Sequence, residues 1–382
     1  MGALMGYVVK LSDSRFKARW RAPDGSLKSK TFPLRREAEA HLRQQEVAID
    51  RGLYVDERGG KITFAEWAEQ YFAIASRRLA RTSYARDMVS MRSHILPRWG
   101  KVRIGRITKS EVERWIVDLG ADGAGVHGAT LTPATIEKTY QTFRKVMKAA
   151  YEAERIPRLP CPAHPPIARQ KRKPVRYLTE SEVAHLATVI TPFLEATIYV
   201  AAYGGFRLGE LFALRLDDVD WARGSIRVDE GLTDVAGHLA FEDPKTARAF
   251  RTVPMADLAL DKLRQHIEFR VDWNDPRAPL FLGQEGGLLR PNNFRRRHFD
   301  PAVLRAGLAP LTPHDLRHTA ASLFIAEGAN PWMLAEILGH RDTRMVDRVY
   351  GHLFEKDRQA LRQRMSDRAR RATLDNVRTL SR

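Results

Sequence analysis

Between Ile156 and Arg176 the chain reads IPRLPCPAHPPIARQKRKPVR. Pro157, Pro160, Pro162, Pro165, Pro166 and Pro174 each fix φ and remove a backbone donor, so this stretch can enter neither a helix interior nor a central strand. It divides the 382 residues into a part ending near residue 160 and a part beginning near 177, each long enough to bury a core. With 43% hydrophobic and 9% aromatic residues, both parts are expected to fold.

Ahead of the break, YVVKLSDSRFKARWRAPDGSLKSKTF (7–32) alternates apolar and basic residues around a PDG turn, which predicts a small antiparallel sheet, with a helix from about 35 to 51. The period of two puts Arg15, Lys17, Arg19 and Arg21 on one face and Phe16, Ala18 and Trp20 on the other. Such a basic face either sits in a DNA groove or is simply solvated. From about 62 to 155 the pattern is helical. The clearest stretch is TPATIEKTYQTFRKVMKAAY, where Thr132 and Pro133 start a helix with Ile136, Tyr140, Phe143, Met147 and Ala150 as its stripe. Beyond the break the chain is mainly helical, and SIRVD and RTVPM read as short strands separated by the turn-rich GHLAFEDPKTARAF. The predicted fold class is multidomain and mainly α. It comprises a sheet-plus-helix domain (1–58), an all-helical domain (61–160), a basic linker (161–176) and a mixed α+β region (177–382), mostly helical with a small antiparallel sheet.

A formal net charge of +18 exceeds what solubility requires and points to a polyanionic partner, nucleic acid ahead of an anionic membrane surface. Arg169, Lys171, Arg172 and Lys173 in the linker would suit a segment crossing a phosphate backbone. The longest apolar run, FLEATIYVAAYGGF, is broken by Glu195 and is too short to span a bilayer, so no membrane partner is expected. A single cysteine, Cys161, excludes an intramolecular disulfide and any multi-cysteine zinc site. MGALMGYVVK carries neither a basic leader nor a cleavage site, and the expected location is the cytoplasm.

LTPHDLRHTAAS (311–322) starts a helix: Thr312 is a good N-cap, Pro313 suits the first position, and Asp315 completes a capping-box pattern. Leu316, Ala320, Leu323 and Phe324 form its apolar stripe, with His314, Arg317 and His318 on the adjoining face at a helix start that favours an anion. A zinc site built on His314 and His318 is disfavoured, because Asp-Leu-Arg lies between them and Arg317 would repel a dication. Four further features stand out. Arg207 follows the helix stop at Gly204 and Gly205, with Glu210 one turn on; Lys245 sits in the turn-rich stretch; His340 projects past a helix that Gly339 ends; Tyr350 lies in a short helical segment. Taken singly, each has an ordinary structural explanation.

In order along the chain, Arg207, Lys245, His314-x-x-Arg317, His340 and Tyr350 resemble the catalytic signature of the tyrosine recombinase family, the phage integrases and their relatives. The flanking GGFRLGEL, HDLRHTAAS, LGH and YGH match as well. The interval from His340 to Tyr350 is one residue longer than in many members. The resemblance implies a SAM-like core-binding domain for the helical segment and an arm-type DNA-binding domain for the N-terminal sheet. It also implies site-specific cleavage and rejoining of double-stranded DNA, at core and arm-type sites, with no metal or cofactor. A homo-tetramer on DNA, DNA-bending or directionality factors, and a phage or other mobile element as the source follow from it too.

The implied chemistry needs a nucleophile, charge compensation at phosphorus and a proton for the leaving oxygen. Tyr350 is the expected nucleophile, giving a 3′-phosphotyrosine, with His314 as its general base. Arg207 and Arg317 would clamp the non-bridging oxygens, His340 would add a hydrogen bond to the phosphate, and Lys245 would be the general acid. Glu210 would orient Arg207, and His318 would support the site from behind. A DNA binder without the reaction and a type IB topoisomerase are the alternatives. The complete catalytic set argues against the first, and two DNA-binding modules before the catalytic region argue against the second.

Overall fold

A computed structural model describes residues 6–12, 14–23, 25–50, 59–123, 125, 128–168, 175–235, 237–243 and 250–380; side chains of the last helix are described for 344–354 and 362–371. Lys245, Arg169, Lys171, Arg172 and Lys173 lie outside the described residues. The chain forms two compact units, Met1–Arg172 and Lys173–Arg382.

The first unit opens with β1 (Gly6–Lys10), β2 (Phe16–Arg21) and β3 (Leu27–Phe32), an antiparallel sheet in the order β1-β2-β3. Helix α1 (Arg35–Asp50) covers one face, packing Ala38 and Leu42 on Ala18 and Trp20. The other face carries Lys17 and Arg19, and Arg19 Nη1 donates to Tyr7 Oη at 3.3 Å. The all-helical part contains α2 (Phe64–Ala75), α3 (Arg81–Ser90), α4 (Leu96–Trp99), α5 (Lys109–Leu119) and α6 (Pro133–Glu152). Its caps are local: Thr63 with Glu66 and Thr108 with Glu111 form capping boxes, and Thr132 caps α6 ahead of Pro133. Its core gathers Phe64, Trp99, Trp115 and Phe143, whose rings pack at 5.1–5.8 Å. Beside them Asp87 is buried and held by Lys145 Nζ at 2.9 Å and Thr142 Oγ1 at 3.2 Å.

The second unit is built on α8 (Glu195–Gly204), apolar all round, which packs against α7 (Glu180–Val189), α10 (Asp257–Arg270) and α13 (Pro313–Ala326). A short α9 (Leu208–Leu211) follows α8. One sheet, in the order β4-β5-β8, joins β4 (Val219–Asp220), β5 (Ser225–Val228) and β8 (Arg251–Pro254). The predicted strands SIRVD and RTVPM thus pair directly, Ile226 opposite Val253.

The stretch between them is more ordered than expected. Residues read as turn-rich contribute β7 (His238–Glu242), which pairs antiparallel with β6 (Gly231–Val235). Leu232, Leu239 and Phe241 pack on the core, and Arg290 Nη1 reaches Asp234 at 2.9 Å, so the hairpin is held by contacts distant in sequence. The short α11 (Pro291–Asn293) leads through a π-helical turn to α12 (Asp300–Arg305); α14 (Pro331–Ile337) and α15 (Arg344–Leu380) complete the unit. Tyr350 does not lie in a short segment but in this 37-residue helix, where neither Gly nor Pro interrupts the chain beyond Gly351.

Candidate active site

Helix α13 begins as its sequence predicts. The Thr312 amide and hydroxyl donate to Asp315 Oδ2 at 2.6 and 2.7 Å, which fixes the first turns and hence His314, Arg317 and His318. Arg317 points inward and is 2% exposed. It donates to the carbonyl of Gly205 at 2.6 Å, to the carbonyl of Leu338, and to His340 Nε2 at 3.1 Å. Gly205 caps α8 at φ +67°; a Cβ there would come within 2.9 Å of Leu338 Cδ2 and 3.1 Å of Ala320 Cβ, so the junction of three helices requires glycine.

Arg207 stands just before α9. Its amide donates to Glu210 Oε2 at 2.9 Å and its Nη1 to Glu210 Oε1 at 2.5 Å, while Nη2 reaches the carbonyl of Gly339 at 3.2 Å. The same carboxylate accepts from Arg251 Nη2 at 2.7 Å and lies 4.0 Å from Arg317. Burial alone would push the Glu210 carboxyl up, but Arg251 and Arg207 outweigh it and hold it at about 2. Arg317 is drawn down to about 9 by burial and by Arg207, which leaves it charged at neutral pH.

Tyr350 is buried, and its hydroxyl oxygen lies 2.7 Å from His318 Nδ1. The imidazole on the tyrosine is therefore that of His318, where the sequence reading expected His314. His314 is exposed, packs its ring edge-on against His318 at 4.8 Å, and makes no hydrogen bond to Tyr350 among the described residues. The physical reason is direction: α15 crosses α13 one turn further along than His314. Burial lifts Tyr350 to about 12 despite Arg317, and burial together with His314 lowers His318 to about 4, so the pair meets as neutral phenol and neutral imidazole. His340 is likewise lowered to about 4, by burial and by Arg317. Arginine can only donate, so His340 Nε2 is an acceptor here and its proton sits on Nδ1, which has no hydrogen-bond partner among the described residues.

Arg207, Glu210, His314, Arg317, His318, His340 and Tyr350 line one cleft of about 910 Å³, bounded opposite by β6 and by Glu242 and Asp243. Of the expected catalytic set, Lys245 alone lies outside the described residues. The basic face of Arg15, Lys17, Arg19 and Arg21 belongs to the other unit. Among the described residues no cluster of three or more His, Cys, Asp or Glu side chains is placed to hold a metal ion, and no helix is long and apolar enough to cross a membrane. Arg251 is not in the catalytic set that the sequence singles out. Its parity in RTVPM, inward with Val253 and Met255, was the signal that it is buried.

Residues 176–357 match the model of the phage integrase family, and residues 63–120 match that of the phage integrase N-terminal SAM-like domain. The chain belongs to the phage integrase family. This integrase is 26% identical over 350 residues to the integrase of Mycobacterium phage D29, covering 89% of this chain and 90% of that one. It is 23% identical over 353 residues to the ICEBs1 integrase of Bacillus subtilis, covering 87% and 89%. Among solved structures, the Tn1549 transposon integrase in complex with a circular intermediate DNA superposes with a TM-score of 0.67 at 20% identity, over 79% of this chain and 99% of that one. A lambda integrase dimer bound to a core site superposes with 0.58 at 16% identity, over 91% and 94%. These likenesses establish the integrase fold.

Proposed function

We propose that this integrase is a site-specific DNA recombinase that cuts and rejoins strands through a 3′-phosphotyrosine at Tyr350, integrating or excising a phage or other mobile element. One observation carries the reading: a single cleft collects the Tyr350 hydroxyl with an imidazole on it and two buried or half-buried guanidiniums beside it. The Tyr350 oxygen attacks phosphorus, its proton passes to His318 Nδ1, and the bond to the 5′-oxygen breaks. Lys245 gives that oxygen a proton, and a 5′-hydroxyl reverses the step on rejoining. Arg207 and Arg317 hold the non-bridging oxygens, since a planar fork matches them in a way an ammonium cannot. His340 fixes the Arg317 fork, and exposed His314 faces the phosphate from the cleft rim.

In this reading residues 177–382 are the catalytic domain, 61–160 bind the core site, 161–176 form the linker along DNA with Arg169, Lys171, Arg172 and Lys173, and 1–58 bind arm-type sites through Arg15, Lys17, Arg19 and Arg21. A lambda integrase tetramer bound to a Holliday junction is among the structural neighbours, which supports four protomers acting together on two duplexes. DNA-bending or directionality factors would set the direction, and the work would be done in the cytoplasm of the host. The test is a nicked suicide duplex carrying candidate sites, scored for a covalent complex. Tyr350→Phe is expected to bind the duplex and form no adduct; an adduct with that variant would overturn the assignment.

A further inference from the structure

Arg251 opens β8, and its side chain is only 2% exposed. A strand position facing inward beside Val253 and Met255 would ordinarily be apolar, and burying a guanidinium there is unfavourable unless it is fully engaged. Among the described residues it is engaged on two sides. Nε donates to the carbonyl of Ile337 at 2.7 Å, at the end of α14, and Nη2 donates to Glu210 Oε2 at 2.7 Å. Gly339 packs so closely that a Cβ on it would lie 3.0 Å from Arg251 Nη1. The other oxygen of the same carboxylate holds Arg207 Nη1.

We propose that Arg251 is a positioning residue for Arg207, acting through Glu210. A carboxylate alone with Arg207 would take both prongs of its fork and cancel its charge. With Oε2 taken by Arg251 and by the Arg207 amide, Glu210 gives the Arg207 guanidinium one oxygen only, and leaves Nη2 to bridge to Gly339 beside His340. Arg251 thereby sets both the direction and the effective charge of the half-exposed guanidinium, and ties the α14 end to the same carboxylate. The proposal rests on reading Arg207 as a phosphate clamp.

Single-turnover cleavage of the suicide duplex tests it, with Arg251→Met and Arg251→Lys each made in the wild-type chain and with Arg207→Lys. Arg251→Met should slow adduct formation about 10- to 100-fold, the scale of hydrogen bonds to charged groups, with DNA affinity kept within about twofold. Arg251→Lys restores the charge facing Glu210 and should recover part of that loss. In the Arg207→Lys chain, where no fork remains to be aimed, Arg251→Met should cost less than about threefold more. A merely structural role would multiply the two losses, and that result, or a wild-type rate for Arg251→Met, would overturn the proposal. If Arg251→Met shows no cooperative melt, Arg251→Lys in both backgrounds decides, since it keeps the charge but cannot make both bonds. Tyr350→Phe is run alongside: an adduct from it removes the clamp reading itself, whereas an inactive Tyr350→Phe with unaffected Arg251 variants removes only the role of Arg251.

Discussion

Replacing His318 by glutamine should separate the imidazole that accepts the tyrosine proton from the one that does not. With its pKa near 12, the Tyr350 hydroxyl is ionised at pH 7 in roughly one molecule in 100,000, so reaction through the free phenolate would forfeit almost all of the nucleophile. In the proposed reaction a neutral acceptor 2.7 Å away would remove that handicap by taking the proton as the bond to phosphorus forms, an effect worth about 10²- to 10⁴-fold. Glutamine can hydrogen-bond the phenol and so keep its rotamer, but it cannot take the proton. His318→Gln should therefore lose at least about 100-fold in single-turnover cleavage with little change in DNA affinity or melting temperature. His314→Gln, which leaves the bonded pair intact, should lose less. The reasoning is refuted if His318→Gln cleaves like the wild type while His314→Gln is the inactive variant.

Other consequences are open to simpler measurements. Gly205→Ala must place a Cβ at φ +67° against Leu338 and Ala320, and should cost about 1–3 kcal/mol by denaturant unfolding and slow cleavage through the displaced Leu338 carbonyl; a neutral effect would contradict the packing. Lys145→Met removes the main partner of buried Asp87 and should destabilise the first unit by about 1–3 kcal/mol, whereas a melt unchanged from wild type would show the pair to be ornamental. His318 and His340 refuse protons until about pH 4, whereas in the unfolded chain they accept them from about 6.5. The unfolded state binds more protons within that window, so stability should fall as pH drops from 6.5 towards 4, seen in calorimetry as a declining melting temperature. Replacing both histidines by glutamine should flatten that slope.

Much of the architecture could be read locally. Thr312, Pro313 and Asp315 announce α13 because a cap is a matter of neighbouring residues, and the α6 stripe from Ile136 to Ala150 is a single periodicity. What could not be read depended on how elements cross. His314 and His318 share a helix face, and only the path of α15 over α13 decides which one meets Tyr350. The β6–β7 hairpin escapes the sequence for the same reason: Gly231 and Asp234 are weak strand formers, and the pairing is fixed by Leu232, Phe241 and the distant Arg290. Arg251 was visible as a charge, yet its engagement with Glu210 and Ile337 spans 41 and 86 residues of chain.

Arg317 is secured chiefly by peptide carbonyls just past the ends of α8 and α14, where aligned backbone dipoles present partial negative charge. A counter-ion made of main chain neither titrates nor exchanges with salt, and it carries no full charge with which to neutralise its guest. Among the described residues Glu210 is the one carboxylate paired with Arg207, Arg251 and Arg317, so these four side chains together retain two uncancelled positive charges. That surplus equals the two negative charges a phosphodiester would carry once the tyrosine oxygen, its proton handed on, has added to phosphorus. The fold bears the cost of assembling the surplus in advance, and none of it need be gathered from solvent when the bond breaks.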